Sequence, residues 1–342
     1  MNLDRLPRVS LARFPTPLDD APRLAAALGV SRLLVKRDDL TDLSLGGNKV
    51  RKLEYLLGEA LAQGADTVIT TAGAQSNFLR ITAAAARRLG MQPVFVVRGR
   101  PDALPEGNLL LMRVFGVDLR FVPTQDPYDA STVGVMREIE EQVRRRGGRP
   151  YLMHLATFSG GLATVGYVSA ALELVQQLRA RDLRCDYLAL AVGSGTTYAG
   201  LLLGLRHAGM RCRILGASVN TAAATLRTHV ERHMRAAAEI LGLPSPDYGT
   251  EIDITDAHVG PGYGIPTDDS VEAIRLAAQT EGLVFDPIYT GKAWAALRHA
   301  VQSGAITRDA TVIFLHSGGA PLIFQHAASV TGGAHVPIRH PD

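Results

Sequence analysis

The 342 residues are 46% hydrophobic and 20% charged, with a net charge of +3, the balance of a globular chain long enough for one large or two modest domains. The densest basic run, RRRGGR from Arg144, closes a helical pattern, and the 6% aromatics do not interleave with basic residues, so a nucleic-acid surface is not expected. No apolar run approaches the roughly 18 residues of a membrane span, and the opening MNLDRLPRVSLARFPTPL lacks an apolar signal core; a soluble, cytoplasmic protein with no membrane partner is expected.

Along the chain a short β-branched run repeatedly precedes an Ala/Leu/Arg-rich helical stretch. DTVITT (66–71) leads to SNFLRITAAAARRLG, PVFVVR (93–98) to EGNLLLMRVFG, and DLRFV (118–122), after a loop, to STVGVMREIEEQVRRRGG. DYLALAV (186–192) leads to TTYAGLLLGLRHAG, RILGASV (213–219) to a long helix, and TVIFLH (311–316) to GGAPLIFQHAA. Such alternation predicts an α/β fold of parallel strands with helices on both faces. Residues 244–267, rich in Pro and Gly, break the pattern and read as a long loop. Cys185 and Cys212 belong to no metal-spacing motif and read as small buried hydrophobes; no metal is expected.

Ligands of parallel sheets sit beyond the carboxyl ends of the strands, and there this chain places its polar, glycine-rich segments: AGAQSN (72–77), GSGTT (193–197) and HSGG (316–319). GSGTT runs from strand to helix, so its amides and hydroxyls suit an anion such as a single phosphate. It has neither the Gly-Lys-Ser/Thr of a P-loop nor the downstream acid of a dinucleotide site. Gln75, Ser76 and Asn77 could hold a carboxylate and a phenolic oxygen, or simply cap a helix. Tyr263 and Tyr289 each stand in a glycine-rich turn, where packing is the ordinary role, and Ser317 follows a strand end. The chain has four lysines, Lys36, Lys49, Lys52 and Lys292, and two of them directly follow Gly-Gly-Asn. In so lysine-poor a chain the pair reads as amines kept for their chemistry, because a lysine can form an imine with an aldehyde cofactor whose phosphate is held elsewhere.

Taken in order, GGNKVRKLEYLL, AGAQSN, AVGSGTTYAGLLLG, GPGYG and DPIYTGKA, flanked by PTPL (15–18) and VKRDDLT (35–41), resemble pyridoxal 5'-phosphate (PLP) enzymes of the tryptophan synthase β-like fold, fold type II. More narrowly they resemble the branch containing D-cysteine desulfhydrase and 1-aminocyclopropane-1-carboxylate deaminase. The resemblance spans nearly the whole chain. It implies two open twisted parallel-sheet domains with the active site between them: 1–50 with 160–342 as the larger, cofactor-binding domain, and 51–159 as a smaller inserted one. It also implies a homodimer.

By the same resemblance Lys49 is the Schiff-base lysine, and Lys52 is a second retained lysine giving electrostatic support. Asn77 lies beside the cofactor's phenolic oxygen, and Ser76 near the substrate carboxylate, where it has at times been given a proton-transfer role. Gln75 and Phe78 complete the substrate side. Gly193, Ser194, Gly195, Thr196 and Thr197 form the phosphate cup, Tyr263 and Tyr289 are active-site tyrosines, and Thr290 or Ser317 falls near the pyridine nitrogen. Either Lys49 or Ser76 with a tyrosine removes the α-proton. Deaminases of this branch usually carry Glu where this chain has Thr290. A neutral hydroxyl leaves the pyridine nitrogen largely unprotonated and the electron sink shallow, which favours prompt loss of a β-substituent. The implied activity is β-elimination from a small amino acid, releasing a sulfur leaving group, pyruvate and ammonia.

Two segments depart from the branch. Phe78 replaces its usual His, and HLATFSGGLATVGY (154–167) replaces its GGSNPLGALGY pattern. A cysteate sulfo-lyase, a cyclopropane deaminase or a hydroxyamino-acid dehydratase are the alternatives within PLP chemistry. A non-catalytic PLP-binding protein is the alternative of another class.

Overall fold

The computed structural model describes residues 1–100, 106–126 and 129–332. The chain starts with β1 (Leu18–Asp20), α1 (Pro22–Leu28) and β2 (Arg32–Arg37). α2 (Lys49–Ala62) follows the glycine pair. Strand and helix then alternate through β3 (Thr67–Gly73), α3 (Asn77–Arg88), β4 (Gln92–Arg98), α4 (Gly107–Val114), β5 (Asp118–Val122), α5 (Ala130–Arg145) and β6 (Pro150–Met153). A second run holds α6 (Gly160–Ala180), β7 (Tyr187–Val192), α7 (Thr196–His207), β8 (Arg213–Ser218) and α8 (Ala223–Leu241). It ends with β9 (Asp253–Thr255), α9 (Asp268–Glu281), α10 (Thr290–Gln302), β10 (Thr311–His316), α11 (Pro321–Gln325) and α12 (Ala327–Thr331).

These strands form two sheets, as expected. One has six strands in the order β1-β2-β10-β7-β8-β9, and the other four in the order β5-β4-β3-β6. Every pairing is parallel except β1 with β2. The register pairs Gly73 with Arg98 at the carboxyl ends of β3 and β4. Each sheet is covered on both faces, which is what lets its strands be nearly continuous apolar runs. Leu174, Leu202 and Val230 bring α6, α7 and α8 to one face of the larger sheet, while Leu24, Ile274 and Trp294 bring α1, α9 and α10 to the other. Leu53, Ile81 and Met112 of α2, α3 and α4 pack on the smaller sheet, with Met136 and Ile139 of α5 opposite.

The stretch 244–267 is not wholly loop: Asp253–Thr255 adds to β8 as an edge strand, too short to show a period in sequence. α6 lies at the centre, and glycine lets its neighbours approach it backbone to backbone. A Cβ at Gly166 would sit 2.3 Å from the Arg51 carbonyl, and one at Gly200 of α7 would sit 2.4 Å from that of Thr164. The starts of α2 and α7 are thereby drawn toward one another. Among the described residues no helix is long and apolar enough to cross a membrane.

Candidate active site

A cleft of about 350 Å³ opens at the carboxyl ends of strands from both sheets, with Lys49, Thr71, Arg98, His154, Gly193 and Asn220 among its walls. On one side the chain enters α2 through a turn that most side chains could not make. Gly46 has φ +68°, and a Cβ there would lie 1.8 Å from the Asp39 carbonyl; glycine alone tolerates both. The turn is pinned from three directions. Thr41 Oγ1 donates to the Gly47 carbonyl and accepts from its amide at 2.9 and 2.8 Å, Arg80 donates to the Gly46 carbonyl at 2.9 Å, and Asn48 N donates to the Ser317 carbonyl at 3.0 Å.

Lys49 is thereby fixed as the first residue of α2, facing the cleft. Its Nζ donates to Asn48 Oδ1 at 3.1 Å. Desolvation lowers its pKa from the ordinary 10.5 to about 8, against the opposing charge of Asp286, so about a tenth is neutral, nucleophilic amine at pH 7, far more than an ordinary lysine offers. Lys52, three residues on and so on the same helix face, is 1% exposed and donates to Thr196 Oγ1 at 2.7 Å. Burial, and then the charge of Lys49, push its pKa well down. Among the described residues no carboxylate pairs with it.

α7 meets this lysine end-on. Its N-cap is Gly195, with no side-chain cap, and helix geometry leaves its first amides without intrahelical acceptors. Ser194 Oγ lies 3.1 Å from Thr196 Oγ1, and Asn48 Nδ2 donates to Thr197 Oγ1 at 3.3 Å. A buried amine, the first amides of a helix and three hydroxyls converge here, a combination that fits an anion.

The opposite wall is the start of α3. Ser76 lines the cleft, and its Oγ caps the helix by accepting from the amides of Phe78 and Leu79 at 3.2 and 3.3 Å. Phe78 also lines it. Gln75 and Asn77 are tied outward to α4. Gln75 Oε1 accepts from Asn108 N at 2.9 Å, and Asn77 Oδ1 from Asn108 Nδ2 at 2.9 Å. Across the mouth, Tyr263 and Tyr289 touch hydroxyl to hydroxyl at 2.6 Å with rings edge to face. Burial, then Tyr263, push the Tyr289 pKa well above its ordinary value, so it keeps its proton.

The sequence-chosen residues that line the cleft are therefore Lys49, Lys52, Ser76, Phe78, Gly193 to Gly195, Thr197, Tyr263, Tyr289 and Ser317. Gln75, Asn77, Thr196 and Thr290 stand behind it. Thr290 Oγ1 donates to Asp286 Oδ2 at 2.9 Å, within a carboxylate that also accepts from the amides of Ile288, Tyr289 and Thr290. Arg98, His154 and Asn220 were missed; each ends a strand or lies within two residues of a strand end, and that position was the available signal.

The family profile described as "Pyridoxal-phosphate dependent enzyme" matches residues 9–318. The chain belongs to that family. Its cofactor is pyridoxal phosphate, and the Lys52–α7 anion site together with the Lys49 amine fits that group's phosphate and aldehyde. The chain is 37% identical over 330 residues to a protein named D-cysteine desulfhydrase from Salmonella choleraesuis, covering 95% of this chain and 98% of that one. The crystal structure of a homologue of ACC (1-aminocyclopropane-1-carboxylate) deaminase superposes with a TM-score of 0.87 at 33% identity, over 96% of this chain and 97% of that one. Diaminopropionate ammonia lyase from Escherichia coli shares the fold, with a TM-score of 0.69 at 17% identity over 95% and 89% of the two chains.

Two outcomes are expected. Because neutral amine is the reactive form and Lys49 loses its proton near 8, the rate at which the apo chain captures pyridoxal phosphate rises with pH up to about 8 and levels above it; stopped-flow absorbance reads this, and a rate still climbing steeply toward the ordinary lysine range would contradict the lowered value. Replacing Lys52 with Met removes a charge-assisted contact of about 1.5–3 kcal/mol, so the Kd for pyridoxal phosphate rises roughly 10–100-fold in an equilibrium titration.

Proposed function

We propose that this enzyme is a carbon–sulfur lyase like D-cysteine desulfhydrase, which removes the α-proton of a small amino acid, expels a β-sulfur substituent and releases pyruvate and ammonia. One observation carries the reading. Among the described residues lining the cleft, the one carboxylate is the exposed Asp126, and the cleft-lining residue that follows β10 is Ser317, a hydroxyl. The buried Asp286 is spent on the start of α10. Bound here, pyridoxal phosphate supplies an electron sink for a substrate carbon that has lost its proton. A sink without a carboxylate partner suits fast departure of a β-substituent.

The residues divide the work. Lys49 would hold the cofactor through its amine, and the lowered pKa of that amine also suits it to take up a proton. Lys52 and Gly193 to Thr197 hold the phosphate. Ser76, with Phe78 beside it in the cleft wall, receives the substrate carboxylate and is the other candidate base, while Gln75 braces the turn from behind through Asn108. Asn77 has Oδ1 engaged by Asn108, which leaves its amide hydrogens for the cofactor's phenolic oxygen. Tyr289, with Tyr263, donates a hydrogen bond rather than accepting a proton. Thr290 holds Asp286 in place, leaving Ser317 as the hydroxyl toward the ring nitrogen.

A second reading, loss of sulfite from cysteate, is favoured by Arg98 in the cleft wall, a cation that suits an anionic leaving group. The domains follow the strands: 1–50 with 160–342 builds the larger, cofactor-binding unit, and 51–159 the smaller one. The protein is cytoplasmic and acts as a homodimer. α4 and α11 pack together and leave Leu110, Val114 and Phe324 exposed, apolar surface that a second copy would cover.

Lys49→Ala is expected to lower turnover by roughly a thousandfold or more, and substantial residual turnover would overturn the assignment. Offered D-cysteine, L-cysteine, L-cysteate and 1-aminocyclopropane-1-carboxylate separately, the wild type is expected to yield pyruvate with sulfide; sulfite would support the second reading, and ketobutyrate would mark ring opening. Sedimentation is expected to give twice the chain mass, and a monomer at micromolar concentration would remove the dimer.

A further inference from the structure

The lysine count leaves one amine without a function. Lys36 belongs to a buried ion network, and Lys49 and Lys52 face the cofactor site, but Lys292 does not line the cleft. It is nevertheless fully buried on the first turn of α10. Its ammonium donates to the carbonyls of Val259 and Gly262 at 2.7 and 3.1 Å. Both acceptors lie in the irregular segment 256–267 between β9 and α9, where Gly260, Gly262 and Gly264 have φ of +67°, +152° and +79°. A segment with three such glycines has little intrinsic conformational preference, so it must be held from outside.

What it carries is Tyr263, the residue directly after Gly262. Tyr289 lies three residues before Lys292, and the two phenols meet at 2.6 Å. The contacts close a ring: Tyr289, the first turn of α10, Lys292, the Gly262 carbonyl, Tyr263, and back to Tyr289. We propose that Lys292 is the positioning residue of the tyrosine pair, tethering the glycine-rich segment to α10 so that Tyr263 stands over the cleft at hydrogen-bonding distance from Tyr289. The inference rests on the reading above that this pair belongs to the catalytic machinery.

The chemistry of the amine explains the choice of residue. An ammonium offers three donors from one compact point and can serve two carbonyls in a confined space, whereas a planar guanidinium would need a wider, flatter site. Burying a charge without a paired carboxylate disfavours folding, and burial lowers the Lys292 pKa, opposed by the charge of Asp286. A methionine would fill similar volume without that cost, so the amine earns its place through the carbonyls it holds.

The test is a double-mutant cycle in holoenzyme, with Lys292→Met, Tyr263→Phe and the double variant, measuring kcat, KM, the visible cofactor band and the melting temperature. Lys292→Met is expected to lower kcat about tenfold or more, the scale of a small misplacement of a catalytic group, while the cofactor band stays unchanged. The double variant is expected to be no slower than Tyr263→Phe alone, because both changes remove the same contribution. Full activity in Lys292→Met, or losses that multiply in the double variant, would overturn the inference and leave the function of the pair intact. Full activity in Tyr263→Phe would instead remove Tyr263 from the machinery, and the tether's purpose with it. Should Lys292→Met fail to fold, Lys292→Leu, which likewise has no donor, enters the same cycle with the same expected outcomes.

Discussion

Arg51 stands on α2 between the two lysines of the cleft and engages an entirely different set of groups. Its guanidinium donates to both oxygens of Asp38, to both oxygens of Glu173 and to Thr16 Oγ1, all at 2.9 Å, and it stacks on Phe14 at 4.4 Å. Lys36 bonds Glu173, and Tyr167 donates to Asp38. Two buried cations thus meet two carboxylates. Burial alone would raise the Asp38 pKa, but Arg51 holds it below the ordinary carboxylate value. Removing one member of such a set leaves an uncompensated charge, at a cost of about 3–5 kcal/mol. The rotation of α2 is therefore dictated by Arg51, and with it the direction in which Lys49 and Lys52 point. Tyr167 carries the coupling further, since its ring lies 5.5 Å from the Lys52 ammonium.

The cleft is consequently electrostatically incomplete by design. Two amines one helical turn apart repel, and each is desolvated. The dipole and free amides of α7 add more positive potential at the same point. An anion placed there would offset all of these costs together. The far side of the cleft differs: the residue that follows β10 there is Ser317, a neutral hydroxyl.

Much of this was legible from the residues. Strand–glycine–helix transitions announced β3, β7 and β10 with their loops, because parallel strands need apolar runs and their carboxyl ends collect ligand groups. What escaped notice has physical reasons. α6 is buried around nearly its whole circumference, so its apolar residues show no helical period to read. β1, β6 and β9 are three or four residues long and take their order from neighbouring strands. Thr290 was grouped with Ser317 because a motif fixes spacing along the chain but not which way a hydroxyl turns, and the Asp286 carboxylate turns this one inward. Gln75 and Asn77 likewise acquire their partner, Asn108, only across 31 to 33 residues of chain.

The lysines end with a different consequence. Lys36, Lys52 and Lys292 are at most 3% exposed, and Lys49 is half-buried within the cleft; with four lysines in the whole chain, the outer surface carries its positive charge on arginine. Enzymes that acetylate, methylate or ubiquitinate lysine find no acceptor there. Amine-directed crosslinking or immobilisation is likewise confined to the α-amino group and Lys49, so that chemistry which elsewhere decorates a surface would here strike the active site first.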